Sequence, residues 1–422
     1  MNILYKLFIG LLSIITLQSC NTMNQRRRNI TASQLLGSPN YPAISYGGYR
    51  TQSRRVQPTV AQLKEDMKIL SAMGIKMLRT YNVHLAQINH LLQAIDELNR
   101  EMPQFEMYVM LGAWIDCKNA WTGFEPNHDE ESERNATEIA RAVELAKKYP
   151  GIIKIIAVGN EAMVKWAAAY YVQPGIILKW VNHLQDLKKK GVLSKDLWIT
   201  SSDNFASWGG GGSEYHVPDL QALIKAVDYI SMHTYPMHDT HYNPVFWGVN
   251  DGEVKKSKKE QIVLAMERAL QYAQSQYEAV KKYMQSIGVD KPIHIGETGW
   301  ASFSNELYGS TDSKATDEYK SGLFYQKMRA WTNQKGIACF YFEAFDESWK
   351  DASNPGGSEN HFGLFTLDGK AKWAVWNLVD QGKMKGLTRD GNPIKKTYDG
   401  DFQKLLNEVE TPPHKALEKI GD

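Results

Sequence analysis

Two glutamates stand where a carboxylate is costly. Glu161 closes "VGNE" after the apolar, β-branched run 152–158, and Glu297 lies in "IGETGWAS" directly after the run 292–295. A carboxylate at the end of a buried strand loses its hydration, so it persists only where something pairs with it or uses it. Two such groups facing each other across a sugar-sized cleft could cleave a glycosidic bond. One, kept protonated, donates to the leaving oxygen while the other attacks or stabilises the anomeric carbon. Environment divides the roles: a carboxyl near another in a dry site keeps its proton, and one bonded to a cation stays ionised. The plain alternative is a pair of helix-capping or salt-bridged carboxylates at strand ends.

Opposed acids need a frame, and the chain offers one. Short β-rich runs at 43–46, 76–80, 107–111, 153–158, 197–201, 228–232, 292–296 and 337–342 alternate with amphipathic runs. "TVAQLKEDMKILSAMG" puts Val60, Leu63, Met67 and Leu70 on one face and stops at Gly74; 132–149, 176–190, 258–287 and 317–334 are further helices, with shorter ones at 218–227 and 373–378. Eight strand–helix units predict a single (β/α)8 TIM barrel in the α/β class, over 38–380. An open doubly wound sheet has the same local pattern, but "YGGYR" lacks the dinucleotide-binding spacing. The polar tail 381–422 is expected to wrap the barrel or to be partly disordered.

In such a barrel the residues after each strand point at one pocket. These are Tyr46 and Tyr49; Arg79, Tyr81 and Asn82; Trp114 and Asp116; Asn160 and Glu161; Asp203 and Asn204; His233 and Tyr235; Glu297 and Trp300; and Glu343, Asp346, Glu347 and Lys350. Aromatic rings on these loops suit the C–H faces of pyranoses, although most Trp in a folded chain simply pack. His233 has no companion at metal-ligand spacing and is read as a satisfied polar contact; no metal and no cofactor are expected. "WGGGGSEYH" (208–216) is a flap or a connector, the connector being favoured.

The motifs in order, "KMLRTYN", "VGNEA", "DYISMHTYP", "IGETGWAS" and "FDESWK" followed by "ENHFGLF", resemble glycoside hydrolase family 17, the β-1,3-glucanases of the retaining (β/α)8 clan. The resemblance implies an endo-acting β-1,3-glucan hydrolase acting on laminarin-like glucans. Glu161 would be the acid/base and Glu297 the nucleophile, with carboxyl groups about 5 Å apart. It implies that Asn160 bonds the sugar 2-hydroxyl, that Arg79 and Tyr235 hold Glu297, and that Glu347, Lys350 and Glu359 support the acid/base and sugar hydroxyls. On spacing alone those last three could equally form a structural ion-pair network. Tyr46, Tyr81, Trp114, Asp203 and Trp300 complete the expected substrate-binding set. Ala301, where plant members usually carry Pro, and Asn82 in place of Asp depart from the pattern without touching the carboxylates. The alternatives are a β-1,3-glucanosyltransferase and a noncatalytic glycan-binding lipoprotein.

The 422 residues carry a net charge of +2, with 43% hydrophobic and 23% charged. That supports one large core or two smaller ones and gives no field for nucleic acid. Lys6 precedes an apolar run at 7–17 too short to span a bilayer, ending in "LQSC". This resembles a bacterial lipoprotein signal over 1–20, in which Leu17 and Ser19 precede a lipidated Cys20. Residues 21–37 would be a tether, and the expected location is the outer membrane, on its periplasmic face or the cell surface. The expected form is a monomer. Cys117 and Cys339 stand in unrelated contexts, so no disulfide framework is predicted.

Overall fold

The computed structural model describes residues 30–414. Among them, eight parallel strands close into a barrel: β1 Ala43–Ser45, β2 Met77–Arg79, β3 Tyr108–Ala113, β4 Ile153–Asn160, β5 Trp198–Asn204, β6 Ile230–His233, β7 Ile293–Gly299 and β8 Cys339–Phe342. Each pairs with its neighbours in sequence, and Ala43 lies opposite both Met77 and Phe340, which closes the ring. Helices α1 Val60–Ala72, α2 Ala86–Glu101, α3 Arg134–Lys148, α4 Pro174–Lys189, α5 Pro218–Ala226, α6 Lys258–Ser286, α7 Glu318–Lys335 and α8 Trp376–Asp380 cover the outside. The TIM barrel expected from the alternating pattern is the observed fold.

Local chemistry explains the helix starts. Thr59 accepts from Gln62 N in a capping box at α1, Ser257 with Glu260 does the same at α6, and Asp317 caps α7. Period-two alternation then sorts each strand. Ile44, Leu78, Val109 and Ile230 face the helix layer, while Ala43, Met77, Tyr108, Met110, Ile155 and Tyr229 fill the barrel interior. Towards the C-terminal ends of the strands the inward set turns polar, with Ser45, Arg79, Ser202, Ser231 and His233 all buried. The change from apolar floor to polar mouth within one barrel is what builds the site.

At the chain ends one expectation is revised and the other is narrowed to one of its two alternatives. The leader, Cys20 and residues 21–29 of the expected tether lie outside the described residues, but from residue 30 the chain is no tether. Ala32, Leu35 and Leu36, on and just after a one-turn helix, are buried against Met77, Tyr108, Met110, Ile155, Ala157 and Phe340. Spaced at i, i+3 and i+4, these apolar residues plug the N-terminal end of the barrel, whose interior must be filled. At the other end, 381–414 wraps the barrel: Arg389 is fully buried and its Nε donates to Asp66 of α1 at 3.1 Å, while Lys320 Nζ donates to Glu410 O at 2.7 Å. Among the described residues no helix is long and apolar enough to cross a membrane.

Candidate active site

Glu297 lies at the C-terminal end of β7, its side chain 9% exposed. Arg79 Nη1 from β2 and the Tyr81 hydroxyl, at 2.8 Å, donate to Oε2, and the Tyr235 hydroxyl donates to Oε1 at 2.6 Å. Burial pushes this carboxyl up, but Arg79, His233 and the two phenol hydroxyls together outweigh it and hold the pKa at about 2. Arg79 also reaches Asn160 Oδ1 through Nη2 at 2.5 Å. One planar fork thus ties strands β2, β4 and β7 together.

Glu161 follows β4 in a tight turn. Gly159 adopts φ +82°, Glu161 itself φ +46°, and Glu161 N donates to Ser202 O at 3.0 Å. A left-handed backbone at a residue other than glycine costs free energy, and such strain gathers at functional positions. The side chain is 23% exposed, and Oε1 lies 3.0 Å from His233 Nδ1. The imidazole Nε2 lies 2.8 Å from Ser202 Oγ, which in turn lies 2.8 Å from Ser231 Oγ. Gly296 makes room for this chain, since a Cβ there would overlap both serine hydroxyls. Glu161 and Glu297 share one set of neighbours: His233 touches the first and helps to keep the second ionised, and Tyr235 bonds the second and feels the charge of the first.

The eighth strand supplies a buried ionic cluster. Lys350 Nζ is 2.8 Å from Glu343 Oε1 and 4.0 Å from Glu347 Oε2, and 3.7 Å above the Phe342 ring. Burial pushes the Glu343 carboxyl well above its ordinary range, with Lys350 opposing and Glu347 reinforcing the rise. Glu347 accepts Tyr49 N and Trp349 Nε1, both at 2.9 Å. Glu343, not Glu359, is therefore the partner in contact with Lys350. The Glu359 side chain is half exposed, its carboxylate 3.8 Å from His238 Nε2.

Three expected sugar-binding residues are turned elsewhere. Tyr46 is buried between the barrel wall and α1, its hydroxyl donating to Asp66 at 2.8 Å. Trp300 is fully buried between Trp247 and Phe324, with its indole N–H on Ala315 O at 2.8 Å. Asp203 spends its oxygens on Met163 N at 2.7 Å, Ser207 Oγ at 2.6 Å and Asn204 N at 2.8 Å, bracing the loop that follows Glu161. Burial raises its pKa to about 6. Trp114 remains partly exposed, tilted against Tyr170 at a ring distance of 5.2 Å. Sequence reasoning overlooked Tyr170 and undervalued Glu343 and His233. For His233 a signal existed, because 229, 231 and 233 share the inward face of β6. Segment 208–216 packs as a connector, with Trp208 fully buried and bonded to Ser231 O at 3.0 Å.

Residues 43–363 match the BtgE/BtgC glycoside hydrolase domain. An endo-laminarinase from Formosa Hel1_33_131, known as a crystal structure, is 65% identical and superposes with a TM-score of 0.91 over 93% of this chain and 100% of its own. The glucan 1,3-beta-glucosidase of Arthroderma benhamiae is 39% identical over 287 residues, 65% of this chain and 73% of the relative. The probable glucan endo-1,3-beta-glucosidase btgC of Aspergillus terreus is 25% identical over 334 residues; the match takes in 76% of this chain but only 43% of that longer protein. With its barrel, its paired glutamates and a domain match over more than half of its length, the chain belongs to the BtgE/BtgC glycoside hydrolase family.

Proposed function

We propose that this chain is a retaining, endo-acting hydrolase of β-1,3-glucans such as laminarin. The observation that carries the reading is the asymmetry between two neighbouring carboxyls: Glu297 is held ionised by Arg79, Tyr81 and Tyr235, while Glu161 leans on the imidazole of His233. The names of the relatives support the linkage, and the identity to the Formosa endo-laminarinase supports internal cleavage.

In the first step Glu297 attacks the anomeric carbon. The bond to the leaving glucosyl oxygen breaks, its electron pair stays on that oxygen, and Glu161 supplies the proton. With Oε1 engaged by His233, Oε2 of Glu161 presents that proton. In the second step Glu161 takes a proton from water as the water oxygen attacks the anomeric carbon and releases Glu297. Asn160, its Oδ1 fixed by Arg79, turns its amide N–H towards the 2-hydroxyl, a contact that strengthens in the transition state. Direct attack calls for carboxyl groups about 5 Å apart.

Digestion of laminarin with the products sized over time tests the activity. New reducing ends with early mid-length products support endo-hydrolysis, oligosaccharides longer than the substrate indicate a glucanosyltransferase, and a mobility shift in a glucan gel without reducing ends indicates a binding protein. The roles are separated by variants. Glu297→Ala is expected to abolish the glycosyl-enzyme, whereas Glu161→Ala keeps slow turnover of substrates with activated leaving groups. Equal losses on both substrate types in both variants would overturn the assignment. We also propose export and lipid anchoring through Cys20 to the outer membrane, and action as a monomer. Fatty-acid labelling that persists in Cys20→Ala, or a dimer on gel filtration, would overturn these.

A further inference from the structure

The loop after β3 carries a feature that the two-step reaction does not use. A two-stranded hairpin, Cys117–Lys118 against Asn127–Glu131, stands above the barrel, and its tip shows Trp121 at 59% and Phe124 at 74% exposure. Exposed large aromatics are normally scattered, but Trp121 is not isolated. Its ring stacks on Tyr170 at 5.1 Å and 23°, and Trp114 leans on the same Tyr170 at 5.2 Å. Three rings therefore form a column, with Trp114 and Tyr170 half-buried and Trp121 bare.

One end of the column is rooted at the barrel mouth, because Trp114 directly follows β3, whose last residue Ala113 pairs with Val158 of β4, three residues before Glu161. Burial pushes the Tyr170 hydroxyl well above the usual tyrosine range, and the charges of Glu161, Asp203 and Glu297 add to that rise, which places the ring within electrostatic reach of both carboxyls. The bare end is held rigidly. Trp121 keeps a left-handed backbone at φ +62°, next but one to Asn119 at +66°, and Asn119 Nδ2 ties the tip to Glu125 O at 3.0 Å. A left-handed backbone at a tryptophan costs free energy, which the stacking on Tyr170 helps to offset. The hairpin is also fastened to the loop that follows Glu161: Cys117 N donates to Tyr170 O at 3.1 Å, Gln173 N to His128 O at 3.1 Å, and His128 stacks on Tyr171 at 3.6 Å. Both indoles lie against the buried Asp116 carboxyl, which Arg134 Nη2 meets at 2.9 Å.

We propose that Trp114, Tyr170 and Trp121 form an outer carbohydrate-binding platform, continuous with the cleft, that grips glucosyl units of a β-1,3-glucan remote from the bond being cut. The inference rests on the β-1,3-glucan reading above and adds what that reading lacks, a preference for long chains. Flat rings with polar edges match the apolar faces of pyranoses, and the rigid backbone lowers the ordering cost of binding.

The test compares Trp121→Ala with Trp121→Phe on laminaritriose, laminarihexaose and laminarin. The expected result for Trp121→Ala is a loss in kcat/KM that grows with chain length, reaching about 3- to 10-fold on the polymer and expressed mainly in KM. Trp121→Phe should restore most of it. Melting temperatures check that both variants fold, as the exposure of Trp121 predicts. A loss equal on all three substrates, or none on any, overturns the platform. The two readings fail differently: a wild-type enzyme inert on every β-1,3-glucan sinks the proposed function, whereas an active wild type whose length dependence is unchanged in Trp121→Ala sinks the platform alone.

Discussion

Arg79 reaches from β2 across the barrel mouth to Glu297 of β7 and forms with it an ion pair in which both side chains are nearly sealed from water, at 1% and 9% exposure. A pair so buried is costly to break from one side, because the remaining charge is left without water or partner. Arg79→Lys keeps the charge but not the fork that serves Glu297 and Asn160 together. We expect kcat to fall by about 10-fold or more, and the acid limb of the kcat/KM profile to move to higher pH as burial reasserts itself on Glu297. A pH–rate profile displaced only in height would show that Arg79 does not set the ionisation of Glu297.

His233 is a positioning residue for Glu161. Its Nδ1 meets the carboxyl and its Nε2 is fixed by Ser202, so His233→Ala frees the acid/base and strands a buried hydroxyl pair. Turnover of laminarin should drop by about 10- to 100-fold, with a smaller drop on an aryl glucoside whose leaving group needs little protonation. A purely structural role would lower both rates in equal proportion.

Glu318 at the start of α7 is a sensor of stability. Its carboxyl accepts Trp373 N at 2.9 Å and Thr397 Oγ1 at 2.5 Å, yet burial raises its pKa to about 7 from an ordinary 4.5. The folded state therefore binds the proton more tightly than the unfolded one, and its contribution is fully present below about pH 4.5. It is lost as pH climbs through 7, by up to roughly 3 kcal/mol. Glu318→Gln should flatten the fall in Tm between pH 5 and 8. Parallel Tm curves for the two proteins would refute this.

The floor of the barrel offers a change remote from the chemistry. Leu35 is fully buried under the interior layer, so Leu35→Ala should cost about 2–5 kcal/mol in chemical denaturation, with kcat at low temperature unaltered. A loss below about 1 kcal/mol would mean that the N-terminal helix does not seal the barrel.

Much of this was legible in the sequence because its signals are periodic. Eight β-branched runs alternating with amphipathic ones define the barrel, and a glutamate ending the fourth and seventh runs marks the site. What stayed hidden depends on direction. Tyr46 and Trp300 follow strands as a site residue would, but a one-residue change of facing sends Tyr46 to Asp66 and Trp300 to Ala315. In the sequence Glu343 is one acid among several, since only the folded chain brings Lys350 onto it in preference to Glu359. The segment from residue 30 reads as spacer because its burying surface is assembled from strands far apart in the sequence, from β1 to β8.

That seal also fixes an orientation. Ile30, the first described residue, packs beneath the staves, whereas Glu161 and Glu297 open at the opposite rim. The described chain thus enters at the base of the vessel and keeps its lip clear of its own N-terminal segment, free to take in the middle of a long polymer.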